Sequence, residues 1–110
     1  MVKLTVLYNL PEGADEGEFL RWRTTEHQEK NAALPGVVRT DFYVARETRL
    51  GPPRYNYITE VWYRSMADLE ASFFSPEVQA KLQEDAKLLA EPVFLISEEL
   101  VAAGGIGCDD

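Results

Sequence analysis

Sulfur and imidazole are scarce in this chain. It holds one cysteine, Cys108, and one histidine, His27. A single cysteine closes no intramolecular disulfide. Cys108 also sits in the stretch Gly104-Gly105-Ile106-Gly107-Cys108-Asp109-Asp110, which reads as an exposed tail and not as the seat of a nucleophile. One residue of each kind excludes a metal cluster of the usual Cys/His spacing, so no metal is expected. Basic residues are few. Eleven Lys and Arg stand against 19 Asp and Glu, giving a net charge of -8 and a pI of about 4.6. Phosphate backbones need a basic surface, so nucleic acid is not an expected partner. No apolar run approaches the roughly 20 residues of a membrane span. Met1-Val2-Lys3-Leu4 runs straight into a strand pattern, without signal-peptide organisation. No membrane partner is expected, and a cytoplasmic location is the default. There is no P-loop and no dinucleotide fingerprint.

What is present is an ordered globular composition. The 110 residues are 45% hydrophobic and 11% aromatic, enough for one core but small enough to gain from oligomerisation. Residues 2–10 alternate, with Val2, Leu4, Val6, Tyr8 and Leu10 on one face, and read as a strand. Asp15 then offers an N-cap with Glu18 three residues later, opening a helix expected over 16–33. Leu34-Pro35-Gly36 ends it. Strands follow over 37–47 and 55–63, separated by the loop holding Gly51-Pro52-Pro53. Ser65 caps a helix over 66–74. Ser75-Pro76 restarts it to about residue 90, and a last strand is expected over 93–101. The domain is therefore expected to span 1–101, with 102–110 as a flexible tail.

The order β-α-β-β-α-β is the ferredoxin-like arrangement: an antiparallel sheet with its helices on one face, class α+β. Both faces of every strand carry large apolar or aromatic side chains. Strands of that kind are normally covered on both sides, so a homodimer joined through the sheet faces is expected. Tyr55, Tyr57 and Tyr63 are expected to face the partner, since tyrosine suits both apolar and polar surroundings.

The first helix carries the chemistry. Phe19, Trp22, Ala33 and Leu34 form its apolar stripe, yet Arg23, Glu26, His27 and Lys30 fall in or beside it. A core-facing stripe should be free of charge, and charges there must be paired or must face a wet cavity. His27 is the candidate general acid/base. Asp85 lies on the inward stripe of the second helix between Leu82 and Leu89, with Arg23, Lys30 or His27 as its possible partner. A contact to His27 would orient the imidazole and raise its pKa. A contact to Arg23 would be a strut between helices. Glu26 and Lys30 are four apart and can pair along the helix. Asn9 and Tyr8 end the first strand beside the helix start and can bind a ligand, although Asn9 also suits the turn that follows. Trp22, Trp62 and Phe42 can wall a ligand site or pack a core. The candidate site is thus His27 and Asp85 as catalytic residues, with Arg23, Trp22, Asn9, Tyr8, Lys30 and Trp62 as ligand contacts.

Phe19-x-x-Trp22-Arg23-x-x-x-His27, Leu34-Pro35-Gly36, and Ser75-Pro76-Glu77 followed by Asp85 are the most specific stretches. On these residues the chain resembles the EthD-like family of the dimeric α+β barrel superfamily, over nearly its whole length. The resemblance implies a ferredoxin-like monomer, a dimeric barrel with the helices outside, and a small-molecule pocket between helices and sheet with His27 at or near it. Related activities imply a cofactor-independent oxidoreductase, monooxygenase or isomerase acting on a small cyclic or aromatic metabolite in a catabolic or biosynthetic pathway. The alternative is a non-catalytic ligand-binding or accessory protein of such a pathway. A haem site with His27 as axial ligand lacks a second histidine and a basic patch for the propionates. Two departures stand out. Gln28-Glu29-Lys30 follows His27 where the family often has Ala-Pro-Leu, and Arg23 stands where an aromatic residue is usual. Both make the pocket more polar than its relatives'.

Overall fold

A computed structural model describes residues 1–49 and 51–104. Four strands form one antiparallel sheet: β1 (Val2–Asn9), β2 (Val37–Val44), β3 (Tyr57–Tyr63) and β4 (Ala90–Glu98). Their order across the sheet is β2-β3-β1-β4. The two chain-adjacent crossovers carry the helices, α1 (Glu16–Thr24) with α2 (Glu26–Ala32), and α3 (Met66–Phe73) with α4 (Pro76–Asp85). A single 3-10 turn, Ala86–Leu88, follows α4. This is the ferredoxin-like α+β fold that the strand and helix periodicities predict. Cys108 and the rest of 105–110 lie outside the described residues.

Period-two alternation sets the inner face. Val2, Leu4, Val6 and Tyr8 of β1 are buried, as are Tyr57, Thr59, Val61 and Tyr63 of β3. Their antiparallel register brings Val6 opposite Thr59 and Leu4 opposite Val61. Phe19 and Leu69 close the core from the helices. Tyr57 and Tyr63 therefore lie beneath the helices, not on the outer face where a partner would reach them. The reason is the register, since they share a face with Val61, which packs in the core. Tyr63 Oη donates to Ser72 Oγ at 3.1 Å, which gives its buried hydroxyl a partner. Tyr57 donates to the Glu16 carboxylate and so ties the first turn of α1 to β3.

The helix expected over 16–33 is two helices. Thr25 has φ -119° and ψ -90°, outside the helical region. Thr24 and Thr25 explain the break. The Thr24 hydroxyl donates to the Leu20 carbonyl at 2.7 Å, and the Thr25 hydroxyl donates to the Arg21 carbonyl at 2.5 Å. Two consecutive β-branched hydroxyls compete with the backbone for the carbonyls of the last turn. Asp15 caps α1 by accepting from Glu18 N, and Ser65 and Ser75 cap α3 and α4 in the same manner.

The last strand begins earlier than expected and contains Pro92. It is an edge strand, where a missing backbone donor is tolerated. Its pairing with β1 slips between Leu7 and Asn9, next to Glu91 at φ 52°. Gly36 ends the α2–β2 connection at φ 81°, a left-handed conformation that glycine adopts without strain.

Candidate functional site

The break at Thr25 decides the site. It turns α2 so that the His27 ring stacks on Trp22, with centroids 4.3 Å apart and planes 29° apart. Both rings line a cavity of about 260 Å³ between the helices and the inner sheet face. Tyr8 and Thr59 form its floor with Leu4, Val6 and Val61. Trp22, Arg23 and Lys30 enter from the first crossover, and Lys81 and Asp85 from the second. Most of the wall is apolar, as in pockets that bind small organic molecules.

His27 sits 3.8 Å from Asp85 Oδ2 through its Nδ1. That is too long for a hydrogen bond, and Nδ1 is buried without a hydrogen-bond partner. Burial first, and then the nearby Arg23 charge, lower the His27 pKa to about 4, and Asp85 offsets only part of this. The expectation that Asp85 raises this pKa is thus reversed, because desolvation outweighs a carboxylate at 3.8 Å. At neutral pH the imidazole is uncharged, so the His27–Asp85 contact is not an ion pair there. The ionic partner of Asp85 is Lys81, one turn earlier on α4, at 3.4 Å.

Neither expected strut forms. Arg23 is only 1% exposed, but it turns to the sheet and away from Asp85. Its Nε and Nη2 donate to Thr59 Oγ1 at 3.3 and 3.1 Å, and its Nη1 donates to Gln28 Oε1 at 2.7 Å. The guanidinium lies 4.6 Å over the Phe42 ring. Lys30 is exposed at the cavity rim, and no ion pair joins it to Glu26 or Asp85 among the described residues.

Of the eight candidate residues, six line the cavity: Tyr8, Trp22, Arg23, His27, Lys30 and Asp85. Two do not. Asn9 holds the β2–β3 loop, accepting from Asn56 N at 2.9 Å and donating to Arg54 O at 3.0 Å. The side chain is thus occupied by a loop distant in the chain, and not by the turn that follows β1 as the sequence suggested. Trp62 alternates out of the core and stands on the outer sheet face, with Lys3 Nζ 4.9 Å over its ring. Sequence reasoning missed Thr59 and Gln28, which hold Arg23. Thr59 reads as a small polar residue in a tyrosine-rich strand. Gln28 donates to the Thr40 carbonyl at 3.0 Å while accepting from Arg23. The only signal for either was the need of a buried Arg23 for partners.

A ferredoxin-like sheet with a ligand-sized cavity under its helices defines the class: a small α+β pocket protein. Residues 11–92 match the EthD domain, and the chain belongs to that family. None of the curated protein sequences matches it. Among solved structures it is similar to an EthD family protein from Bacillus halodurans, with 23% identity over 91% of this chain and 99% of that one, at a TM-score of 0.75. It is similar to the hydroxynitrile lyase of Passiflora edulis, with 13% identity over 93% and 96% of the two chains and a TM-score of 0.71. It is also similar to SnoaB, a cofactor-independent oxygenase from Streptomyces nogalater, with 12% identity over 92% and 94% and a TM-score of 0.68. Identities this low establish the shared fold, and a lyase and an oxygenase on one fold leave the reaction to the site. Among the described residues no helix is long and apolar enough to cross a membrane.

Proposed function

We propose that the cavity binds a small cyclic or aromatic metabolite and that His27 removes a proton from it. The activity is that of a cofactor-independent isomerase or oxygenase. The observation that supports this most is His27 itself: an uncharged imidazole on the wall of an apolar cavity, with a buried Nδ1 that has no partner. A neutral imidazole is a proton acceptor. Asp85 at 3.8 Å stabilises the imidazolium as it forms, and exclusion of water strengthens that attraction. The product is an enolate or phenolate. An isomerase returns the proton at a different carbon; an oxygenase passes electrons from the carbanion to dioxygen as co-substrate. Both share the first step.

The shared step is tested directly. The protein is incubated in deuterium oxide with cyclic ketones and phenols that fill the cavity, and carbon-bound deuterium is followed by NMR. Wild-type protein accelerates exchange, and His27→Ala removes the acceleration while retaining ligand binding. Exchange that His27→Ala leaves intact refutes the role of His27. A second reading, ligand binding without turnover, draws support from the lowered pKa, since a group titrating near 4 is a weak base in the empty site. It stands if compounds bind and none exchanges.

We also propose that two copies associate through the outer sheet face. Tyr43 and Leu95 are 42% and 47% exposed there, and they continue into Leu7, Ile58 and Val93 by strand register, with Trp62 on the same face beyond the Lys3–Glu60 ion pair. A contiguous apolar face of this kind marks an association surface. Trp62 then belongs to the interface and not to the ligand site.

A further inference from the structure

Thr59 Oγ1 is the centre of a polar knot on the cavity wall. It accepts from Arg23 Nε and Nη2, and Tyr8 Oη lies 3.1 Å away. A hydroxyl oxygen offers two lone pairs and one proton. Arg23 has no lone pair to give and fills both acceptor positions. The Thr59 proton must then go to Tyr8 Oη. That leaves the Tyr8 O–H as a donor with no partner among the described residues, in a side chain only 3% exposed. Burial pushes the Tyr8 pKa up, so the O–H keeps its proton at neutral pH.

The guanidinium is in the same condition. Of its five N–H donors, Nε and one on Nη2 go to Thr59 and one on Nη1 goes to Gln28. One on each Nη makes no hydrogen bond of good geometry among the described residues, although Tyr8 Oη lies close enough to favour the charged guanidinium. Arg23 takes part in none of the ion pairs among those residues, although it is buried. The Asp41 carboxylate favours the Arg23 charge only from beyond ion-pair distance; a buried charge without a counter-charge in contact is costly, and an unfilled buried donor is costly too. The other charged groups on the cavity are Lys30, Lys81, Glu77 and Asp85. With Arg23 the cations outnumber the acids there, in a chain whose net charge is -8. A neutral ligand would fill the donors but bring no counter-charge into contact with Arg23.

We propose that Tyr8 and Arg23 form an oxyanion subsite, and that the natural ligand bears one anionic oxygen group on an apolar ring. A carboxylate, a phenolate and an enolate share this chemistry. The proposal deepens the reading above and rests on it for the cavity being the ligand site. Thr59 and Gln28 are positioning residues: they orient the guanidinium and leave the remaining donors for the ligand.

The test uses the full chain and two probes of one shape, naphthoate and the corresponding naphthamide, titrated calorimetrically at neutral pH. Naphthoate is expected to bind about ten-fold tighter or better, the scale of a hydrogen bond to a charged group. Tyr8→Phe removes only the hydroxyl. It should lower naphthoate affinity by about ten-fold and naphthamide affinity by less, since a hydrogen bond to a neutral oxygen is weaker. Arg23→Met should abolish the preference. One readout needs no variant: His27 is the only histidine, and its NMR titration midpoint should rise when naphthoate is bound, because an anion beside it favours the imidazolium. Equal affinity for the two probes, equal loss of both in Tyr8→Phe, or no naphthoate binding at millimolar concentration overturns the proposal. Preference for naphthoate without proton exchange on any compound leaves the subsite standing and removes the proton-transfer reading. Exchange without the preference does the reverse.

Discussion

At the scale of single residues, the site is a balance between desolvation and charge. His27 titrates near 4 in the folded chain, against an ordinary value of 6.5. The unfolded chain therefore binds the extra proton between those values. This contribution to stability is complete above about pH 6.5 and is lost as pH falls toward 4, on the order of 2–3 kcal/mol. Urea unfolding across that range should show the slope, and His27→Gln should flatten it; an unchanged slope would show that His27 is not desolvated. Arg23 gives the opposite kind of expectation. Its charge is buried on neutral partners, and replacing such a charge by an apolar side chain of similar length is often neutral or stabilising. Arg23→Met should therefore melt no lower than the parent while losing the anionic ligand, a site kept at the expense of stability. A melting temperature several degrees lower would instead make Arg23 a structural anchor. The sequence made Arg23 conspicuous, because a charge stood in an apolar stripe. It did not give the partners. Thr59 lies 36 residues away, and contacts of that range follow from packing.

At the scale of elements, two threonines matter more than the helical periodicity around them. Residues 16–33 read as one helix because their apolar spacing is nearly continuous. Thr24 and Thr25 cut it by bonding back to carbonyls of the last turn. The cut brings His27 over Trp22. Thr24→Ala with Thr25→Ala should lengthen the helix, raise the helical circular dichroism signal, and move the His27 titration midpoint upward as the ring leaves its stack. A midpoint that stays near 4 would mean that packing by α2, and not the threonine pair, sets the ring's position. The caps were legible in full: Asp15, Ser65 and Ser75 each stand at an N-cap and accept from the third residue on. Ser75→Ala should cost about 1 kcal/mol, read as a lower urea midpoint.

At the scale of the molecule, the sheet has one face covered by helices and one that is not. Tyr43, Leu95 and Trp62 stand on the second. In size-exclusion chromatography with light scattering, the protein should run at about twice its 12.5 kDa chain mass. Leu95→Glu with Tyr43→Glu should give a folded monomer. A parent protein that is already monomeric at micromolar concentration would refute the association.

The sequence by itself determined the element order, the caps, the two-faced strands and the presence of charge on an inward helix face. Each of these is encoded locally, by a period of two or 3.6 or by a residue type at a fixed offset. Only the tertiary structure decided which charges meet. It moved Asp85 to Lys81, Arg23 to Thr59 and Trp62 to the outer face, and it lowered the pKa of His27. The physical reason is that strand register and the turn at Thr25 fix distances between residues far apart in the chain, while desolvation depends on everything packed around a group. Neither quantity is written in any single stretch of residues.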